Sequence, residues 1–385
     1  MRSAIPSSRG SDEDDKASDP PYCWWRSASG FNQSADLKVE FSKLSSLTPR
    51  HRLFREFERL AFLAEEGLDE LRHKLLTYRP GDFWVPTGGI SKEDMNIPPT
   101  ITLLLVGFSG CGKSSVINLM YSVLGRSGLI PFAQTSATKR SSSHTPVYMQ
   151  EHNVLRSMRN GFCVYDSRGF DYNRMNENIE ELSHWMSEGI HHKQLCLRSA
   201  DEVPVKELNS GRQISKSSPQ YSKRVVNCVM VVANLAEIFK ALKESDLKPL
   251  EATKEIFSSS ALRKCNENPI LILTHGDKLS AEERIDCRLK ICEYLGISET
   301  TGVYDVVCLT EYGFLADETD PITAYALTEA VYRALLISDR GHAPKKKASD
   351  LPMLILSWLL FTIATLFSLL ADLFSRIGRS NRLRY

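Results

Sequence analysis

Ile101-Thr102-Leu103-Leu104-Leu105-Val106 runs directly into Gly107-Phe108-Ser109-Gly110-Cys111-Gly112-Lys113-Ser114. The first six residues read as a buried strand, and the next eight are a complete G-x-x-x-x-G-K-S phosphate loop. Ser115-Val116-Ile117-Asn118-Leu119-Met120 continues in helix-compatible residues. The order strand, glycine-rich turn, helix gives the motif its chemical meaning. The glycines let backbone N–H groups turn toward a polyphosphate, and the helix adds the positive end of its dipole. Lys113 is the candidate cation for the β- and γ-phosphates, and the Ser114 hydroxyl is the candidate Mg²⁺ ligand. Gly107, Ser109, Gly110, Cys111, Gly112 and Ser115 complete the expected cradle.

Outward from this loop, apolar runs alternate with helical patterns from Pro99 to about Asp339. Strands are expected at Ile101–Val106, Val147–His152, Phe162–Tyr165, Val225–Ala233, Ile270–Thr274 and Tyr304–Leu309. Helices are expected near Ser114–Leu124, Asn176–Ile190, Leu235–Phe257, Ala281–Tyr294 and Thr323–Ile337. Continuous apolar strands are those of a parallel sheet covered on both faces. The fold class is α/β, a doubly wound, mostly parallel sheet of P-loop NTPase type, with its ligand beyond the carboxyl ends of the strands. The domain is assigned to residues 99–340.

Residues 1–46 are rich in Ser, Asp and Gly and read as disordered; Trp24 and Trp25 stand there as a stray pair or a short docking motif. Over 47–98, Leu53, Phe57, Leu60, Ala64, Leu68, Leu71 and Leu75 recur at helical spacing. They predict an amphipathic helix packed on the following domain, then a Pro/Gly linker. The polar, serine-rich segment from Glu188 to Lys223 has no clear period and is read as mobile or functional. A basic linker, 341–350, carries Lys345, Lys346 and Lys347. It precedes an uncharged run within 351–371 that is long enough, at about 30 Å, to span a bilayer as a helix. A short basic tail, 372–385, follows.

Charge is nearly balanced, 48 Lys+Arg against 47 Asp+Glu, so no global basic field points to nucleic acid. The 9 cysteines show no C-x-x-C pair and read as small apolar residues of a reducing compartment, not as disulfides or a zinc site. No apolar stretch follows Met1, and Asp12, Glu13, Asp14 and Asp15 are unlike a transit peptide. His191 and His192 show no ligand spacing.

Two further motifs follow strands. Asp166-Ser167-Arg168-Gly169 is a D-x-x-G element: Asp166 suits the Mg²⁺ side of the site, and Gly169 lets a backbone N–H approach a γ-phosphate. Thr274-His275-Gly276-Asp277 places a carboxylate where it can accept from guanine N1–H and the 2-amino group, a donor pair that adenine lacks. The same Asp also suits a helix cap before Ala281.

Gly112-Lys113-Ser114-Ser115-x-x-Asn118, Asp166-x-x-Gly169 and Thr274-x-x-Asp277, in this order, resemble the translation-factor-related GTPases. Within them the chain is similar to septin, immunity-associated and chloroplast-import-receptor proteins, and to GTP-binding proteins of the interferon-induced protein 44 type. The resemblance implies a G-domain-like fold, GTP/GDP and Mg²⁺ as ligands, and base contacts from Thr274, His275 and Asp277, with His275 where a Lys normally packs over the base. It implies a Mg²⁺-binding switch threonine, for which Thr145 is the first choice and Thr138 the second, and catalytic positions at Lys113, Thr145 and Gly169. The base contact expected after the sixth strand is not readable; Thr310 stands nearest. Phe170 occupies the place of a water-orienting Gln, so hydrolysis is expected to be slow. Arg168 is either an electrophile, in cis or across a homodimer, or a surface charge.

Three functions compete. One is a membrane-anchored, GTP-dependent switch with its bulk in the cytosol, on a mitochondrial, peroxisomal, plastid or endoplasmic-reticulum membrane. The second is an ATP-dependent enzyme, with Arg198, Arg212 and Arg224 as lid arginines. The third is a non-catalytic nucleotide-binding scaffold.

Overall fold

Six strands form one sheet in the order β2-β3-β1-β4-β5-β6. They are β1 (Ile101–Val106), β2 (Gln150–His152), β3 (Phe162–Asp166), β4 (Cys228–Asn234), β5 (Ile270–Thr274) and β6 (Val303–Asp305). The computed structural model describes residues 20–31, 47–86, 91–125, 133, 148–155, 161–196, 198, 223–263, 269–307, 320–345 and 350–382, with side chains of the last stretch described for 355–371. All pairings are parallel except β2 with β3. In register, Ile101 lies opposite Phe162 and Leu103 opposite Cys228. The chain forms two compact units, one of residues 1–85 and 98–341, the other of 86–97 and 342–385.

In the first unit, β1 is central and wholly buried. Alternate residues feed two cores. Leu103, Leu105, Val164, Met230 and Ile272 face one side, and Leu104, Val106, Tyr165, Val231 and Leu273 the other. That period of two, buried on both faces, is why the strands read as unbroken apolar runs. Successive strands depart to opposite sides of β1, with β3 on one flank and β4 on the other. This is a topological switch point, and the phosphate loop leaves β1 there.

The helices of this unit are α1 (Pro49–Thr77), α2 (Lys113–Val123), α3 (Met175–Glu188), α4 (Leu235–Lys243), α5 (Lys248–Phe257), α6 (Ala281–Leu295) and α7 (Pro321–Arg340), with a short helical turn at Ser260–Arg263. The single helix expected over Leu235–Phe257 is two. Ser245 turns left-handed at φ 60°, and Pro249 cannot continue a helix but starts one well. α6 begins with a full capping box, Ser280 and Glu283 exchanging bonds, and ends at Gly296 in the left-handed region. Asp277 is therefore not the cap of this helix.

α1 packs along α7 as expected for its apolar stripe, and buried Arg72 donates through Nε to Val123 O at 2.7 Å. Fully buried Asp339, near the end of α7, accepts from Tyr78 Oη, Gly81 N and Phe83 N, so the chain leaving α1 is pinned rather than a free linker. The expectation of disorder to residue 46 fails over 20–31. Trp24–Ser27 is a 3₁₀ turn, and Trp25 is completely buried, stacked on Phe57 with its indole N–H on Glu58. Arg26 adds a bidentate pair to the same Glu58. Polar composition hides this: within a polar stretch, burial falls on Cys23, Trp25 and Ala28, with Trp24 half-buried.

In the second unit, residues 91–96 pair with 342–345. Asn96 N donates to Ala343 O at 2.9 Å and Lys345 N to Asp94 O at 2.7 Å, so Lys345 is held rather than in a free basic linker. Helix α8 runs Asp350–Arg382, and the side chains described over 355–371 are all exposed. Among the described residues no helix is long and apolar enough to cross a membrane. The tail is thus a helix, longer than the 351–371 expected, and its spanning role is not shown by the fold.

Replacing Trp25 by Ala should cost about 3–5 kcal/mol, the usual loss for a buried aromatic. Denaturant unfolding of the full chain would show this as a lower midpoint. An unchanged midpoint would mean that residues 20–31 lie outside the cooperative core.

Candidate nucleotide site

The phosphate loop folds over the carboxyl end of β1 because its glycines admit contacts that no side chain could. A Cβ on Gly107 would sit 2.2 Å from Val232 O, and Gly112, which caps α2, is left-handed at φ 93°. Gly110 is also left-handed, with open space around it. Buried Lys113 turns back over the loop, its Nζ donating to Gly107 O at 3.1 Å and Phe108 O at 3.2 Å. Ser115 lies half-buried in the first turn of α2. Asn118, one turn on, exchanges two bonds with the backbone of Ala133.

The second motif meets this loop. Ser114 Oγ donates to Asp166 Oδ2 at 2.6 Å. Asp166 is buried, and its Oδ1 has no partner among the described residues. Burial pushes its carboxyl up from the ordinary range, against the opposing effects of Lys113 and Ser114. A hydroxyl against a buried carboxylate with one unbonded oxygen is a donor set that fits a hard divalent cation, which takes one or two carboxylates and completes its shell from phosphates and water. Gly169 packs so tightly on the loop that a Cβ there would lie 2.6 Å from Ser109 Cα. Phe170 N donates to Gly107 O at 3.0 Å, and Ser109 N to Phe170 O at 2.9 Å.

Phe170 is a buried wedge, 1% exposed and stacked on Trp185 with centroids 5.9 Å apart. It can orient no water. Arg168 is neither surface charge nor free electrophile: it is buried, with Nη1 donating to Cys196 O at 2.8 Å. Arg198 donates to Gly169 O at 2.9 Å and pairs with Glu181 at 3.0 Å. The two arginines line a cavity of about 230 Å³ beside Ser109, Gly169 and Phe170. From sequence, Arg198 reads only as a lid residue. Its real partners lie on α3 and in the D-x-x-G element, and no fixed spacing announces them. Arg224 sits elsewhere, paired with Glu151 of β2 at 2.9 Å.

The third motif reaches the same loop from β5. Thr274 Oγ1 donates to Cys111 O at 2.7 Å, and a Cβ on Gly112 would sit 3.3 Å from His275 Cε1. His275 is half-buried and left-handed at φ 59°, and burial lowers its pKa, so the ring sits there neutral. Asp277 is exposed in the turn Gly276–Lys278. The structure thus gathers Gly107, Ser109, Gly110, Cys111, Gly112, Lys113, Ser114, Asp166 and Gly169 at one end, with Thr274 and His275 against the same loop and Asp277 just beyond. Thr145, Thr138, Thr310 and Arg212 lie outside the described residues.

The raised pKa of Asp166 has a stability sign. The folded state holds this proton more tightly than the unfolded chain, so its contribution falls as pH rises from the free-carboxyl range, near about 4, through the raised value. Asp166→Asn should therefore raise the melting temperature at pH 7. The difference should shrink toward pH 4, as the wild-type carboxyl takes up its proton. Calorimetry at both pH values checks this; a lower melting temperature at pH 7 than at pH 4, relative to wild type, would refute the assigned cost.

No protein-family model matches the chain, and no curated protein matches it. Among solved structures it is similar to one described as the signal recognition particle receptor SRb-GTP/SRX complex from Chaetomium thermophilum. The TM-score is 0.26 and the identity 16%, over 51% of this chain and 78% of that one.

Proposed function

We propose that this chain is a membrane-anchored guanine-nucleotide-binding protein that hydrolyses GTP slowly with Mg²⁺ and acts as a nucleotide-dependent switch. The observation that carries the reading is the junction of Ser114, Asp166 and Lys113 at the phosphate loop, with Asp277 exposed past β5 in the same unit. Loop amides and Lys113 would hold the phosphates, with the lysine exchanging loop carbonyls for phosphate oxygens. Ser114 and Asp166 would hold Mg²⁺, which when bound neutralises charge on the β- and γ-phosphates. Asp277 would accept from the guanine edge, with neutral His275 beside the base.

Slow turnover follows from the buried ring of Phe170 and from Arg168 being committed to Cys196 O. A second copy of the chain docked across the nucleotide is the proposed source of the missing water-orienting group. Anchoring rests on the uncharged sequence within 351–371, which α8 contains. The cavity beside Ser109, with Arg168 and Arg198, favours a second reading, an ATP-dependent phosphotransferase with its acceptor there.

Titration of the full chain in detergent with GTP, GDP and ATP separates the two readings. Lys113→Ala should weaken GDP at least about tenfold, 1.4 kcal/mol, and Ser114→Asn should remove the Mg²⁺ dependence. Asp277→Asn should trade guanine for xanthine nucleotides, because the amide offers a donor where the carboxylate accepted. ATP preferred by wild type, with Asp277→Asn silent, would discard the guanine reading. For the anchor, full-length protein should resist carbonate extraction and lose that resistance when residues 351–385 are deleted; ready extraction would remove the membrane from the proposal.

A further inference from the structure

Trp24 has no part in the nucleotide chemistry above, yet its ring lies over the Arg284 guanidinium at 3.8 Å to the centroid. Arg284 is buried in α6, and its fork grips Asp305 at the end of β6, with Nε on Oδ2 and Nη2 on Oδ1, both at 2.7 Å. The turn that carries Asp277 rests on this pair. A Cβ on Gly276 would lie 2.4 Å from Arg284 Nε and 3.0 Å from Asp305 Oδ1. One guanidinium therefore sets the height of the turn after β5, ties it to the end of β6, and is covered by an indole from a segment far away in the chain.

Trp24 is itself fixed. It meets Phe57 edge-on at 5.0 Å, and its neighbour Trp25 is anchored through Glu58. The Arg284 charge also acts on the carboxyl of Asp320, before α7. A buried bidentate pair keeps its geometry only while water is kept from it, and an aromatic face over the cation does so while adding its own attraction.

We infer that Trp24 is a specificity-positioning residue: by capping the Arg284–Asp305 pair it fixes the turn Gly276–Lys278 and so the aim of the Asp277 carboxylate at the guanine 2-amino group. This rests on the proposed role of Asp277. If Trp24 only stabilised the fold, its loss would weaken all nucleotides alike. If it braces the turn, the loss falls hardest on the base that presents the 2-amino group.

The test compares GDP with IDP, which lacks that group, on the full chain with Mg²⁺. In wild type GDP should bind more tightly. In Trp24→Ala the GDP-over-IDP preference should narrow by about fivefold, a loss of cation–π size, while Trp24→Phe, which keeps a ring face, should retain most of it. Should Trp24→Ala not fold, Trp24→Leu keeps apolar bulk without a ring face and should show the same narrowing. Equal loss for GDP and IDP, or an unchanged ratio, overturns the brace. A wild type that does not distinguish GDP from IDP overturns the guanine reading itself, a different pattern from failure of the brace.

Discussion

The peptide between Gly169 and Phe170 holds the site together. Its N–H goes to Gly107 O, its carbonyl takes Arg198, and the next carbonyl takes Ser109 N. Phosphate loop and D-x-x-G element are thereby one hydrogen-bonded layer, with no room for a side chain at Gly169. The Ser109 amide belongs to the loop that, on the proposed reading, gives its N–H groups to phosphate. A nucleotide that claimed this amide would have to release Phe170 O. Phe170 cannot move alone, because its ring is stacked on Trp185 of α3 and lies under Arg198. On the proposed reading, phosphate contact and the placement of α3 are therefore two faces of one equilibrium, which is what a switch requires.

The same layer explains why charge is buried where a stable fold would avoid it. Asp166 is desolvated, with one oxygen unbonded among the described residues, and Lys113 is buried against carbonyls. Neither arrangement suits an inert strand-to-helix turn; both suit a site in which a cation and polyphosphate complete the shells. By contrast Asp339 is as buried as Asp166 but accepts three hydrogen bonds, and it serves the fold.

Much of this was legible in sequence because it is local. β1 and β5 lie where the apolar runs put them, since both are buried on both faces and bounded by glycine or polar turns. The phosphate loop was readable because its chemistry is contiguous. What failed was tertiary. Trp25 is buried by residues of α1 more than twenty positions away, so a window on 1–46 saw only polar composition. The role of Arg198 depends on Glu181 and Gly169, and that of Trp24 on Arg284; neither pairing has a period. β2 is antiparallel and shorter than its apolar run, because Met149 bonds instead to Gln194 and Lys193 of the segment after α3. Part of the segment read as mobile or functional is thus an edge partner of β2.

Thr274 joins the two ends of the site through its hydroxyl. Its Oγ1 donates to Cys111 O inside the phosphate loop, while its backbone closes β5 against β4. The loop that would carry phosphates and the turn that would carry the base contact are thereby spaced by one hydrogen bond and one strand register, not by flexible chain. Valine has the same shape but no donor, and would leave Cys111 O unpaired in the core, a cost of about 1–3 kcal/mol. From Thr274 the turn passes through left-handed His275 to Gly276, where Arg284 limits its depth. Asp277 is thus placed from below by a buried ion pair and from behind by the phosphate loop, and its own side chain is exposed, as the proposed base contact requires.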